Sequence, residues 1–146
     1  MGWELDQMDV ATAFLYEKLE EETFVNIPEG FVPIRGGDRV WKLRKCLFGL
    51  KQSSRMWNLT IDRVLHDTGS EKFVTEHGIY VVREGDEKIF QALFVDDLLI
   101  LWSSKESLDE VKERLQVHFK MKDMGGAHFL LGVEIRRRLD GGYFMV

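Results

Sequence analysis

Apolar positions along this chain switch between helical and alternating spacing, and the switches divide it into short elements. Leu5–Leu15 is apolar apart from its charges and reads as a strand running into a helix. Thr23–Ile27 and Val40–Leu43 read as short strands around a loop holding Pro28, Gly30, Pro33, Gly36 and Gly37. Over Arg55–Asp67 the residues Trp57, Ile61, Val64 and Leu65 form one stripe, which predicts a helix stopped at Gly69. Ile79–Arg83 and Lys88–Val95 are β-rich runs joined at Glu84-Gly85-Asp86, a hairpin signature. Leu98–Trp102 is a further strand, after which Ser103 and Glu106 fit a capping box. Leu108, Val111, Leu115 and Phe119 recur at helical spacing, and Gly125-Gly126 closes that region. Phe129–Arg137, the turn Asp140-Gly141-Gly142 and a last strand, Tyr143–Val146, complete the chain. Because adjacent strands are linked mostly by hairpins, the predicted class is α+β, with helices on one face of an antiparallel sheet.

Composition narrows the picture. At 146 residues and 45% hydrophobic, the chain is long enough for one domain, 1–146, with a core of its own. No repeat, linker or low-complexity tract interrupts it. The single cysteine, Cys46, has no internal disulfide partner, so an intracellular setting is expected. The longest apolar runs, Ala92–Val95 and Leu98–Trp102, are too short to cross a bilayer, so no membrane partner is expected. The net charge of -5 argues against a generally basic nucleic-acid binder. That figure is an average over unlike parts: Arg35–Arg55 carries seven cations (Arg35, Arg39, Lys42, Arg44, Lys45, Lys51, Arg55) against Asp38 alone. This segment is +6 and the remainder -11. Trp41, Phe48 and Trp57 are interleaved with these cations, as on a nucleic-acid track, although a solvated loop with ordinary lysines has the same composition. Arg136–Arg138 is a smaller basic cluster, and Glu20–Glu22 reads as a solvated acidic face.

The most informative local feature is IFQALFVDDLLILW, Ile89–Trp102, in which Asp96 and Asp97 interrupt an almost wholly apolar run. Neighbouring carboxylates repel, and partial burial penalises their charged forms further. A fold that keeps such a pair commonly does so for a cation, and Mg²⁺ takes one or two carboxylates together with substrate phosphates. A solvated Asp-Asp hairpin turn has the same local pattern. Asp9, within QMDVATAFL, is a third acid in apolar surroundings, and by itself it fits an edge or cap aspartate. Three carboxylates from two strands could hold two ions about 3.5–4 Å apart, as in polymerases and nucleases.

Four segments, in order, resemble the reverse transcriptase of copia-type LTR retrotransposons: QMDVATAFL, VWKLRKCLFGLKQSSRMWN, FVDDLLI and FKMKDMGGAHFLLGVEI. The resemblance extends over nearly the whole chain. It implies a polymerase palm with a ferredoxin-like core that joins deoxynucleotides (dNTPs) to a primer 3′-hydroxyl on an RNA or DNA template. It further implies two Mg²⁺ (or Mn²⁺) ions held by Asp9, Asp96 and Asp97 and the backbone carbonyl of Val10. Phe14 matches the aromatic position under the incoming sugar, where a ring excludes a 2′-hydroxyl, and Gln52 the glutamine near the nucleotide. Lys42, Arg44, Lys45, Lys51 and Arg55 would follow the template and primer, and Leu131-Gly132 matches the turn that grips the primer. Taken without the resemblance, Phe14 reads as a core ring on a helix face and Gln52 as a surface loop residue.

Phe94 departs from the family's usual Tyr, Ala11 from its usual Lys, Tyr16-Glu17 from Asn-Gly, and Ser53-Ser54 from a small residue and proline. His77-Gly78 is also unusual for its position. None of these touches the three acids. The family's fingers, thumb, RNase H and integrase, partners within one polyprotein, fall outside these residues. A palm without fingers is therefore expected to be a poor enzyme. The family's setting is intracellular, cytoplasmic in a virus-like particle or nuclear. Two other readings are a catalytically inactive remnant and a small ferredoxin-like RNA-binding module, which would expose aromatics on its sheet.

Overall fold

A computed structural model describes residues 2–16, 18–31 and 40–146. The loop positions Pro33, Gly36 and Gly37, the charges Arg35, Asp38 and Arg39, and Glu17 lie outside the described residues. In chain order the first elements are β1 (Glu4–Val10), a 3-10 turn (Ala13–Tyr16), β2 (Phe24–Asn26), β3 (Val40–Lys42) and α1 (Lys51–Asp67). Next come β4 (Ser70–Lys72), β5 (Ile79–Glu84), β6 (Glu87–Phe94), β7 (Asp97–Trp102) and α2 (Lys105–His118). The chain ends with β8 (Met121–Gly126), β9 (Phe129–Leu130), β10 (Val133–Arg137) and β11 (Tyr143–Met145). Among the described residues the class is mixed α and β, with antiparallel sheets and two α-helices. Two compact units are present, Met1–Ala13 with Ile61–Val146, and Phe14–Thr60.

The first unit is built on a six-stranded antiparallel sheet in the order β4-β5-β6-β7-β1-β8. Strand alternation gives it two unlike faces. Asp6, Met8 and Val10 of β1, Leu98 and Ile100 of β7, and Ile89 and Gln91 of β6 point to the buried face. Both helices contribute to that side. The end of α1 reaches it through Asp62, which accepts hydrogen bonds from Tyr80 and Lys72, and α2 through Lys112, which donates to Asp6. Ile61, Leu65, Leu108 and Leu115 fill the space between as fully buried side chains.

Several element boundaries differ from the sequence reading, each for a local reason. The opening strand stops at Val10 and gives way to a 3-10 turn rather than a regular helix, with Thr12 between them at φ 56°. α1 begins at Lys51, one turn before Arg55, while its stripe of Trp57, Ile61, Val64 and Leu65 is buried as the spacing predicts. At its end Gly69 takes the left-handed conformation and donates to the His66 carbonyl. The cap of α2 is Ser104 rather than Ser103: its Oγ accepts from the Ser107 N–H and its hydroxyl donates to Glu106. Gly125 and Gly126 continue β8, and the register shift opposite Gln7 and Met8 is a bulge that a left-handed Gly125 accommodates. Phe129–Arg137 is two strands split by a turn at Leu131-Gly132, and β9, β10 and β11 form a separate three-stranded sheet.

The second unit contains the β2–β3 hairpin and the first part of α1. Phe24 pairs with Lys42, Val25 with Trp41 and Asn26 with Val40. Cys46, Ser53 and Trp57 are buried here. Burial of Trp57 corrects its assignment to an exposed aromatic track, whereas Trp41 and Phe48 are exposed.

Candidate active site

Asp9 and the adjacent pair Asp96-Asp97, far apart in sequence, come together where β1 meets β7. Asp9 is the direct register partner of Asp97 on the neighbouring antiparallel strand. Directly opposed Cβ atoms lie about 5 Å apart on one face, here the face away from the helices. Asp96 occupies the two-residue turn between β6 and β7 with Val95, and Phe94 pairs with Asp97 across it. The turn is fastened to the end of β1, because the Val10 N–H donates to the Asp96 carbonyl at 2.9 Å. The Val10 side chain is buried beneath the site. Asp9, Asp96 and Asp97 are each partly exposed, open to solvent yet not fully hydrated.

Electrostatics at this point are unbalanced. Burial raises the pKa of Asp9 above its ordinary value, the charges of Asp96 and Asp97 raise it further, and Lys122 opposes them. Lys122 is the residue opposite Asp9 on β8, so β1 lies between a carboxylate strand and a lysine. Gln7, two residues before Asp9 on the same face, donates from Nε2 to Oδ1 of Asp97 at 2.9 Å. Sequence reasoning missed both neighbours. Gln7 carried a signal in its even spacing from Asp9, but Lys122 carried none, since the β1–β8 pairing is non-local.

The turn itself is strained. Val95 has φ 55°, a left-handed conformation costly for a β-branched residue. Its neighbour in kind is the β9–β10 turn, where Leu131 (φ 53°) and Gly132 (φ 81°) both take positive φ. That conformation favours Asn-Gly, so Leu131→Asn should stabilise the chain by about 1 kcal/mol. The check is thermal unfolding by circular dichroism, with a rise of about 3 °C expected.

Among the described residues, no group of three or more His, Cys, Asp or Glu side chains is arranged to hold a metal ion. The donor chemistry nonetheless fits a hard divalent cation: carboxylates and a strand-end carbonyl are oxygen ligands. The excess negative charge around Asp9 is of the sign such an ion relieves.

The remaining candidate residues are placed as follows. Phe14, in the second unit, is half-buried in the 3-10 turn, its ring edge-on to exposed Phe48 at 5.7 Å. Gln52, in the first turn of α1, donates from Nε2 to Oγ1 of Thr23 at 3.2 Å. It also lines a cleft of about 330 Å³ with Lys51, Arg55, Glu20 and Glu21. Glu20, Glu21 and Glu22 are exposed, as expected of a solvated acidic face; Glu20 and Glu21 also line that cleft, and Glu22 pairs with Lys42. Arg44 and Lys45 are exposed, and Lys45 bridges to Lys18 through the backbone. In the first unit, Leu131 is exposed at its turn. Arg136, Arg137 and Arg138 pair with Glu134, Glu4 and Asp140, so that smaller basic cluster is locally balanced.

No helix among the described residues is long and apolar enough to cross a membrane. The sequence profile described as "Reverse transcriptase (RNA-dependent DNA polymerase)" matches residues 1–145. The putative transposon Ty5-1 protein of Saccharomyces cerevisiae is 39% identical over 134 residues, which are 92% of this chain and 44% of that protein. The Retrovirus-related Pol polyprotein from transposon TNT 1-94 of Nicotiana tabacum is 38% identical over 135 residues, 92% of this chain and 10% of the polyprotein. Its counterpart from transposon RE1 of Arabidopsis thaliana is 32% identical over 136 residues, 93% of this chain and 9% of the polyprotein. The chain thus spans less than half the length of these relatives. With its acids gathered at one strand end and its whole length matched, the chain belongs to the reverse transcriptase (RNA-dependent DNA polymerase) family, of the copia-type retrotransposon kind.

Proposed function

We propose that residues 1–146 are a polymerase palm that transfers deoxynucleotides to a primer 3′-hydroxyl on an RNA or DNA template. The observation that carries this reading is the register pairing of Asp9 with Asp97 beside the Val95-Asp96 turn. The strand order β6-β7-β1-β8, with α1 later in the chain than β1 and α2 directly after β7, supports a ferredoxin-like core as part of this reading. In the reaction the 3′-oxygen bonds to the α-phosphorus, the α–β bridging bond breaks, and pyrophosphate leaves. Asp9, Asp96, Asp97 and the Val10 carbonyl would hold two Mg²⁺ or Mn²⁺ ions. Such ions, when bound, lower the pKa of the attacking hydroxyl and neutralise the phosphates.

The chain's own residues then set position and selectivity. The β1–β7 pairing would keep Asp9 and Asp97 in register, and the Val10–Asp96 hydrogen bond would tie the turn to the end of β1. Phe14 would exclude a 2′-hydroxyl and Gln52 would contact the nucleotide. Lys42, Arg44, Lys45, Lys51 and Arg55 would follow the template and primer backbone, with the Leu131-Gly132 turn on the primer. The rest of a polyprotein, with fingers, thumb, RNase H and integrase, would complete the enzyme inside the cell, in a cytoplasmic particle or the nucleus.

Primer extension with the 146-residue chain, labelled deoxynucleotides and Mg²⁺ or Mn²⁺ tests this reading. Extension that falls by about 10²- to 10³-fold in Asp96→Asn is the expected result. Metal uptake at the acids without extension would instead mark an inactive remnant. RNA binding indifferent to Asp9→Asn and Asp97→Asn, with no metal uptake, would overturn the palm in favour of an RNA-binding module.

A further inference from the structure

We infer that Gln7 is a positioning residue for Asp97, the acid at the start of β7. The inference rests on the metal-binding reading above and adds a residue to it. Gln7 and Asp9 are two apart on β1, so their side chains share the face on which Asp97 lies. Asp97 is opposite Asp9, and Gln7 is opposite Leu99, so the amide reaches Asp97 along the strand diagonal. The bond runs from Nε2 to Oδ1 at 2.9 Å, a full-strength hydrogen-bond distance. It commits one carboxylate oxygen of Asp97, fixes the rotamer, and leaves Oδ2 to other ligands.

The residue type suits this task. An amide donates to a carboxylate without cancelling its charge, so the acid keeps its attraction for a cation. A lysine at position 7 would compete with that cation, and a glutamate would add a fourth negative charge beside Asp9, Asp96 and Asp97. Second-layer partners that orient a ligating carboxylate typically change metal affinity by about 10–100-fold when removed. Two other side-chain amides serve different ends: Gln91 accepts from Ser70 in the buried face, and Gln52 donates to Thr23 in the second unit.

Mn²⁺ alone is the probe, with free ion counted by electron paramagnetic resonance as it is added to the chain. Gln7→Met keeps length and removes the donor; it is expected to weaken Mn²⁺ binding about 10- to 100-fold. Its metal-free unfolding midpoint should stay close to the parent's, which a merely structural role would not predict. Gln7→Asn, with the amide drawn back by one methylene, should weaken binding in the same direction and guards against poor packing of methionine. Unchanged Mn²⁺ affinity in both variants, while Asp97→Asn loses it, would overturn the role of Gln7 and leave the metal reading standing. A parent chain that takes up no Mn²⁺ would overturn both together.

Discussion

Lys112→Met is expected to destabilise the chain by about 3–5 kcal/mol, because it strands a buried carboxylate. The Lys112 side chain is 7% exposed, and its Nζ donates to Oδ2 of Asp6 at 2.6 Å and to both oxygens of Asp123, at 2.9 and 2.8 Å. Asp6 also accepts from Nε1 of Trp102 at 2.9 Å, so β1, β7, β8 and α2 converge on one charge cluster. Methionine fills the volume but leaves Asp6 with the indole alone. A fall of roughly 10 °C in the unfolding midpoint is the expected reading, at about 2–4 °C per kcal/mol for a chain of this size. Asp123→Asn should cost much less, since that side chain is 44% exposed and water screens it.

The same cluster sets two limits on pH stability. Burial works against the charge of Lys112, but its hydrogen bonds to Asp123 and Asp6 outweigh it and hold its pKa above the ordinary 10.5. That contribution is fully present below 10.5 and is lost as pH rises through the folded value. Asp123 is the mirror case. Burial would raise it, yet Lys112 and the Gly125 N–H bring it below 3.8, so its contribution holds above that pH and is lost as pH falls through the lowered value. In Lys112→Met the alkaline loss should be absent, which a series of midpoints against pH would show.

The pattern of residues made some of this legible and hid the rest. β5, β6 and β7 were legible as apolar or β-rich runs between turn residues, even though β5 buries Tyr80, Val81 and Val82 in succession, and α1 and α2 were legible because their stripes are periodic. β4, Ser70–Lys72, has no apolar alternation; it forms only because β5 offers an edge, so nothing local announced it. Asp96-Asp97 stood out because charge interrupts an apolar run. That Asp9 lies opposite Asp97 could not be read from spacing, since it depends on which strand β1 chooses as partner. Trp57 carried two signals at once: its place among cations suggested a stacking surface and its place in the α1 stripe a buried ring, and the stripe prevails. Lys112 belonged to a helix that reads as amphipathic, and only the presence of Asp6 on the facing strand explains a lysine buried there.

Asp9→Asn is expected to change stability and activity in opposite directions. Without metal, the ionised Asp9 is half-buried beside Asp96 and Asp97, and its pKa is raised by burial first and by those two charges next. A raised carboxylate pKa means that the folded chain holds the proton more readily than the unfolded one. Stability therefore falls as pH climbs from 3.8 through the raised value, and the penalty is complete above it. Asparagine removes that penalty, so at neutral pH the metal-free midpoint should rise. Extension should fall by about 10²- to 10³-fold in the same variant. Added Mn²⁺ separates the two effects. At a hundredfold excess over its dissociation constant, a bound ion stabilises by about 2.7 kcal/mol, roughly 8 °C for a chain of this size. The parent should show that shift and Asp9→Asn should lose it, so the order of the two midpoints reverses once metal is present. A lower metal-free midpoint for Asp9→Asn would mean that Asp9 is held by Lys122 as a structural ion pair. The cluster would then be built for the fold, whereas a reversal on adding metal identifies three acids kept together at a cost that only a bound cation repays.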